Sequence, residues 1–363
     1  VVAEKISVQA NALNMKNKVL TSSFTNLFGV KDNSTYYEFI SSLCDFLLGN
    51  INALIVLPEV LFEKIQKQDE LLKSIINLDN KIAFNELIKL LIESGYTRVE
   101  QPARKGQFSV KGDLIDIWNI NSSNLVRASY FGDDLEKITV VNADDYSIIE
   151  ELESVVIYPA VLKNLSNDNL LSFKTNIFFD EPKKLKAEAE IFNNSLGEDK
   201  KLFLDLKNVF ESKNNSQIAF SNILSQTNFF EPEQVITFKT SSPKKYIFDY
   251  RELVKDINVF VNGGYKVSLF CGNEKNKEKM QNFLLENSIT TVKDDYVDAG
   301  VRVFKDYLPD SAWFYSLDSI IIGTDDLYKN NIVKSKKQKL FYTANVGDFV
   351  VHELHGVGKC VAL

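Results

Sequence analysis

The side chains in this sequence that look able to do chemistry are carboxylates and cations rather than nucleophiles. Asp180 and Glu181 follow the apolar run Ile177 to Phe179. A Walker B strand ends in this way, its carboxylate holding the magnesium of a bound nucleotide. That chemistry needs a glycine-rich loop, GxxxxGK[ST], whose backbone N–H groups cradle the phosphates. No such loop occurs in the sequence, and Gly356-Val357-Gly358-Lys359-Cys360 has the wrong glycine spacing, lacks the hydroxyl and reads as a turn. The only histidines, His352 and His355, are three apart rather than the four of an HExxH helix. They read as strand and turn, and a zinc ion would need three or four ligands. No catalytic residue and no metal site is expected.

Cations and aromatics gather elsewhere. In the run Val126 to Phe131, side chains alternate with a period of two, so Arg127, Ser129 and Phe131 share one face and Val126, Ala128 and Tyr130 the other. Parity ties Phe131 to Arg127 but leaves open which face meets solvent: Phe131 is exposed, or it is buried and Tyr130 lies outside. A guanidinium beside an aromatic ring is a common composition at the centre of a protein-binding surface. Arg98, Arg104, Lys105 and Lys111 fall in the same window. They form a local basic patch or a solvated sheet surface.

The elements that must position these residues follow from periodicity and turn signals. Gly95 to Phe131 alternates apolar and polar residues between turn-forming glycines, Gly106 and Gly112 among them, and reads as a small, mostly antiparallel sheet. Its strands are expected to continue through Lys137–Val141 and Ser154–Tyr158, with Pro159 closing the unit. Before it come apolar runs in 18–29 and 53–58, with helical spacing over Tyr36–Leu48 between them, an alternation that implies a parallel sheet. The pair Tyr36-Tyr37 precedes that helix and is expected to pack. A short helix starts in Leu61–Lys67, and a second, capped by Asn85, is stopped by Gly95. Strand then helix returns at Leu170–Phe179 and Lys183–Phe192, so the small sheet is read as an insertion.

From Gln234 a new α/β unit begins: strand VITF, helix Tyr250–Asn262, strand Lys266–Cys271, helix Lys275–Glu286, then strands near Thr290–Val292, Arg302–Phe304 and Ser319–Ile322. The expected fold class is α/β. A degenerate RecA/Rossmann-like first domain (1–76 and 160–230) carries an inserted, mostly antiparallel α+β domain (77–159). A small α/β domain (231–330), a basic linker (331–345) and the start of a further domain (346–363) follow.

Composition sets bounds on function. A formal net charge of -7 over 363 residues argues against a free-standing duplex binder, because phosphate neutralisation dominates nucleic-acid affinity. Cys44, Cys271 and Cys360 are scattered and in no metal-type spacing, which favours a reducing compartment, the cytoplasm. No apolar run approaches the roughly 20 residues that span a bilayer. The chain starts at Val1 without an initiator methionine, so residues are expected upstream.

The patterns GY-RVEQ, GQF-V-G-LIDI and VR--YFGDDLEKI resemble the second domain of the bacterial transcription-repair coupling factors. That domain is similar to domain 2 of the excision-nuclease B subunit. The resemblance implies a non-enzymatic N-terminal region that binds the damage-recognition A subunit, UvrA, through Lys111, Arg127 and Phe131. Lys111 stands where the family usually has arginine, a point charge in place of a planar fork. Tyr146-Ser147 stands where the family commonly has Gln-Arg. Asp180 and Glu181 become relics of a nucleotide fold with structural capping roles, and ATP and magnesium belong to motor domains outside this chain, those of a DNA translocase.

The C-terminal stretch VGDFVVHELHGVGKCVAL resembles the opening strands of the family's RNA-polymerase-interacting domain, reached through the basic run Lys334–Lys339. The family's own C-terminal domain is expected to mask the UvrA-binding surface, and any DNA contact to be weak or indirect. Two other readings remain: a stand-alone nucleotide-dependent helicase or excision-nuclease subunit, which the missing phosphate loop opposes, and a passive structural module.

Overall fold

The computed structural model describes residues 2–12, 14–22, 33–79, 81–197, 200, 203–210, 216–223, 229–247, 249–292, 299–328, 349–352 and 356–359. They divide into two units, Val1–Thr237 and Phe238–Leu363. In the first, the apolar spacing of Phe39, Leu43, Phe46 and Leu47 becomes the helix Asn33–Leu47, which buries Phe39, Ile40, Leu43 and Cys44. Tyr36 and Tyr37 lie within this helix, and the Tyr36 hydroxyl accepts from the Leu162 N–H at 3.0 Å. The helix links two parallel strands, Asn17–Leu20 and Ala53–Val56, as the alternation implies. A second parallel pair joins Ile177–Asp180 to Gln217–Phe220, and the helix Pro182–Ser195 follows the first of these strands. The unit is thus mixed α/β, with an additional N-terminal helix, Val2–Ala12, that the spacing did not suggest.

Two helix boundaries differ from expectation. Pro58 sits in the first turn of a 3-10 helix, Pro58–Phe62, and the chain then leaves in an extended conformation at Glu63, so an α-helix forms only at Gln68–Ser74. The helix Phe84–Glu93 begins one residue before Asn85, with Ala83 as an N-cap that makes no side-chain hydrogen bond. It ends as expected, with Gly95 at φ +86° just beyond it.

The inserted sheet has six strands hydrogen-bonded in chain order: Thr97–Arg98, Gln107–Lys111, Leu114–Ile117, Leu125–Phe131, Asp134–Val141 and Ile148–Leu152. All pairings are antiparallel except the first. The expected strand at Ser154–Tyr158 is not part of it. The chain reverses at Asn142–Ser147, Ile148–Leu152 takes the edge, and Val155–Ile157 pairs instead with Ile76–Leu78. One face of the sheet buries Phe108, Ile115, Ile117, Val126, Ala128, Tyr130 and Ile138 in the same core as Leu87, Leu91 and the Asn33–Leu47 helix. Gly106, at φ +78°, allows that approach, because a Cβ there would strike the Tyr37 hydroxyl.

The second unit is a five-stranded sheet ordered Thr240–Ser241, Ala312–Phe314, Ser319–Ile322, Lys266–Phe270, Gly300–Phe304, with the last three parallel. Helices Tyr250–Asn262 and Glu274–Glu286 are capped by Asp249 and Asn273 side chains. They bury Leu253, Ile257, Met280 and Leu284 against Val267, Leu269, Ile320 and Ile322, so Met280 is a packing residue. The expected strand VITF is absent: Val235, Ile236 and Phe238 are exposed, and edge pairing begins only at Thr240. Around Thr290–Val292 there is a single bridge, Thr291 to Val301. Gly356–Lys359 is a strand paired with Phe349–His352, where a turn was expected. Lys334–Lys339, His355 and Cys360 lie outside the described residues. Among the described residues no helix is long and apolar enough to cross a membrane.

Candidate partner-binding surface

The outer face of the inserted sheet is built by register. Ser109, Asp116, Arg127 and Thr139 lie opposite one another across four strands, and Lys111, Leu114, Ser129 and Lys137 form the next row. Phe131 follows on the same face, two residues beyond Ser129. The open question of parity is settled by Tyr130. Its ring meets Phe84 edge-on at 5.3 Å, and its hydroxyl donates to the Ile82 carbonyl at 3.1 Å. With Tyr130 4% exposed, Phe131 turns outward and is 74% exposed.

Arg127 is half-buried and firmly held. Its Nε donates to Asp116 Oδ1 at 2.7 Å and its Nη2 to Oδ2 at 3.0 Å, a bidentate pair with a carboxylate only 6% exposed. Donating to the Asp116 carboxylate raises the guanidinium's pKa above its ordinary value. The Arg127 Cζ also lies 5.6 Å from the centroid of the Tyr146 ring. Tyr146 adopts φ +60° in the turn that reverses the chain. Lys111 is exposed at the end of its strand, Arg98 and Arg104 are exposed, and Lys105 is half-buried. Lys137 pairs with Glu151 at 2.6 Å.

Asp116 was not singled out by sequence reasoning, and Tyr146 was noted only as a departure from the family's pattern, with no partner assigned to it. The signal for Asp116 was present, a lone carboxylate in the apolar strand LIDI, but its partner depends on strand register. Tyr146 could not be placed without the turn that brings it back over the sheet.

The acidic pair at the end of Ile177–Asp180 is arranged differently. Asp180 is exposed. Glu181 takes φ +51°, and its carboxylate accepts from the Asn222 backbone N–H at 2.9 Å and from Asn222 Nδ2 at 2.7 Å, with Ser221 Oγ at 3.1 Å. It therefore ties its own strand end to the exit of the neighbouring strand. His352 lies in a strand, and among the described residues no three His, Cys, Asp or Glu side chains are grouped to hold a metal.

The sheet's outer face thus carries an exposed aromatic ring at Phe131, a point charge at Lys111 and a braced guanidinium at Arg127, a composition that suits a protein-docking face. Residues 75–162 match the UvrB interaction domain family. The chain is 21% identical to the transcription-repair-coupling factor of Bacillus subtilis, over 85% of this chain and 34% of that protein. It is also 21% identical to the coupling factor of Borreliella burgdorferi, over 91% of this chain and 34% of that one. A 128-residue stretch is 36% identical to UvrABC system protein B of Fusobacterium nucleatum, covering 35% of this chain and 18% of that protein. The chain spans about a third of the length of the coupling factors it matches. Residues 75–162 are thus similar to the UvrB interaction domain, and most of the chain's length is similar to the transcription-repair-coupling factors.

Proposed function

We propose that this chain is the recruiting region of a cytoplasmic transcription-repair-coupling factor and binds UvrA through the outer face of the inserted sheet. The observation that carries this reading is Phe131: a large aromatic, 74% exposed, on the same face as Arg127 and Lys111 within the UvrB interaction domain. A single exposed ring is ordinary, and Phe178 and Phe220 are exposed elsewhere in the chain; what sets Phe131 apart is that it shares its face with a braced guanidinium, the aromatic-and-arginine composition of interface hot spots. Phe131 is the anchor, Lys111 supplies charge without fixed geometry, and Arg127 supplies directed N–H groups. On this reading the flanking parallel strands are a nucleotide fold without its phosphate loop, in which Glu181 closes the chain. ATP, magnesium and translocation along DNA belong to the remainder of the full-length protein, as do contacts with RNA polymerase and the masking of this surface by the C-terminal domain.

Calorimetry with purified UvrA tests the reading. Phe131→Ala is expected to weaken binding about thirtyfold, the scale of a hot-spot truncation, and Arg127→Ala comparably, with circular dichroism confirming that both fold. Folded variants that bind UvrA as well as the parent would move the site elsewhere. An ATP titration of the same chain is expected to show no saturable binding, and micromolar saturation would favour the helicase reading.

A further inference from the structure

The guanidinium of Arg127 is not free to choose its geometry. Two of its five N–H groups, on Nε and Nη2, are taken by Asp116. The Arg127 Cζ lies over the Tyr146 ring, 5.6 Å from the centroid. The tyrosine hydroxyl is buried with no hydrogen-bond partner among the described residues, so the ring rather than the polar end is what this site uses. A non-glycine residue at φ +60° is itself unfavourable. The turn holds it there through a set of local bonds. The Tyr146 N–H donates to the Asn142 carbonyl at 3.0 Å, the Asn142 N–H to the Ser147 carbonyl at 2.9 Å, and the Ser147 hydroxyl to Asp145 Oδ1 at 2.6 Å.

We propose that Tyr146 is a positioning residue of the docking face: its ring and the Asp116 carboxylate clamp the Arg127 guanidinium, so that a partner meets only the outward N–H groups on Nη1 and Nη2. This rests on the UvrA-binding reading and sharpens it. With Nε–H and one Nη2–H already donated to Asp116, the N–H groups left on Nη1 and Nη2 suit an acceptor oxygen of the partner, a carboxylate or a backbone carbonyl, approaching in the plane of the guanidinium. Lys111, by contrast, accepts charge from any direction.

The test uses the whole chain and two independent measurements. The first is hydrogen exchange of the Arg127 Nε–H by NMR in the absence of any partner, the signal being assigned by its disappearance in Arg127→Lys. Tyr146→Ala is expected to speed that exchange several-fold, and Tyr146→Phe, which keeps the ring, to restore the parent rate. The second is UvrA affinity. Tyr146→Ala is expected to weaken binding about fivefold, the scale of one cation–ring contact, and to add nothing in the Arg127→Ala background. Unchanged Nε–H exchange in Tyr146→Ala overturns the proposal. So does a Tyr146→Phe variant that behaves like the alanine, or losses that add in the double variant. If the parent chain does not bind UvrA at all, the recruitment reading falls, and the exchange measurement still decides whether Tyr146 positions Arg127.

Discussion

Asp116 and Glu181 are both carboxylates engaged across a pair of neighbouring strands, and they differ in what they hold. Asp116 grips a side chain, Arg127, that is 23% exposed and keeps N–H groups not used by that pair. Glu181 grips the exit of the adjacent strand at Asn222, and its bonding capacity goes into closing the chain. The first arrangement braces a partly exposed guanidinium with a buried carboxylate. The second holds two strand ends in place and presents nothing beyond an ordinary acidic surface at Asp180. In a sequence, an acidic residue at a strand end looks more like a catalytic feature than one acid inside an apolar strand. In the fold, the inconspicuous acid is the one wired to a surface.

The difference has an energetic counterpart that can be broken. Arg127→Ala leaves the Asp116 carboxylate, 6% exposed, without its counter-charge. Removing one partner of a pair that is largely out of water strands the other, so a loss of about 2–3 kcal/mol is expected in urea unfolding. Arg127→Ala combined with Asp116→Asn should recover part of it, because the stranded charge is gone. If the single variant is as stable as the parent, Asp116 is solvated well enough to dispense with Arg127 and the contrast with Glu181 collapses. Glu181→Ala is the matched experiment at the other site. It removes hydrogen bonds made near solvent and leaves no buried charge behind, so about 1 kcal/mol is expected. UvrA affinity should not change. A Glu181 variant that lost UvrA binding while remaining folded would place the recruiting surface on the flanking strands.

How far these sites were legible in the sequence follows the range of the interactions that make them. The sharing of one face by Arg127 and Phe131 is local, fixed by the two-residue period of a strand, and the sequence carries it. Which face meets solvent depends on Phe84 and Ile82, nearly fifty residues upstream, and no periodicity reports that. Helices with strong apolar spacing, such as Tyr250–Asn262, were readable to the residue. Short apolar runs were not. VITF and the segment Val155–Ile157 look alike in pattern, yet one pairs with no strand among the described residues and the other with Ile76–Leu78, because pairing is decided by tertiary partners. Asp116 to Arg127 is a register fact, and Tyr146 over Arg127 is a fact of turn geometry. Both escape a reading made one segment at a time.

The same face supplies the smallest and most discriminating effect. Lys137 and Glu151 approach to 2.6 Å, closer than Arg127 and Asp116, but their side chains are 43% and 63% exposed. Judged by distance, this pair should matter more; judged by desolvation, much less, since water and salt screen both charges and two long side chains lose freedom to meet. Lys137→Ala is therefore expected to change stability by less than about 0.5 kcal/mol. That small effect should shrink further in 0.5 M salt, while the Arg127→Ala loss persists. A Lys137 loss that rivals that of Arg127 would mean that proximity, not burial, sets the energetics of this face, and the bracing of Arg127 would then have no special standing among its charges.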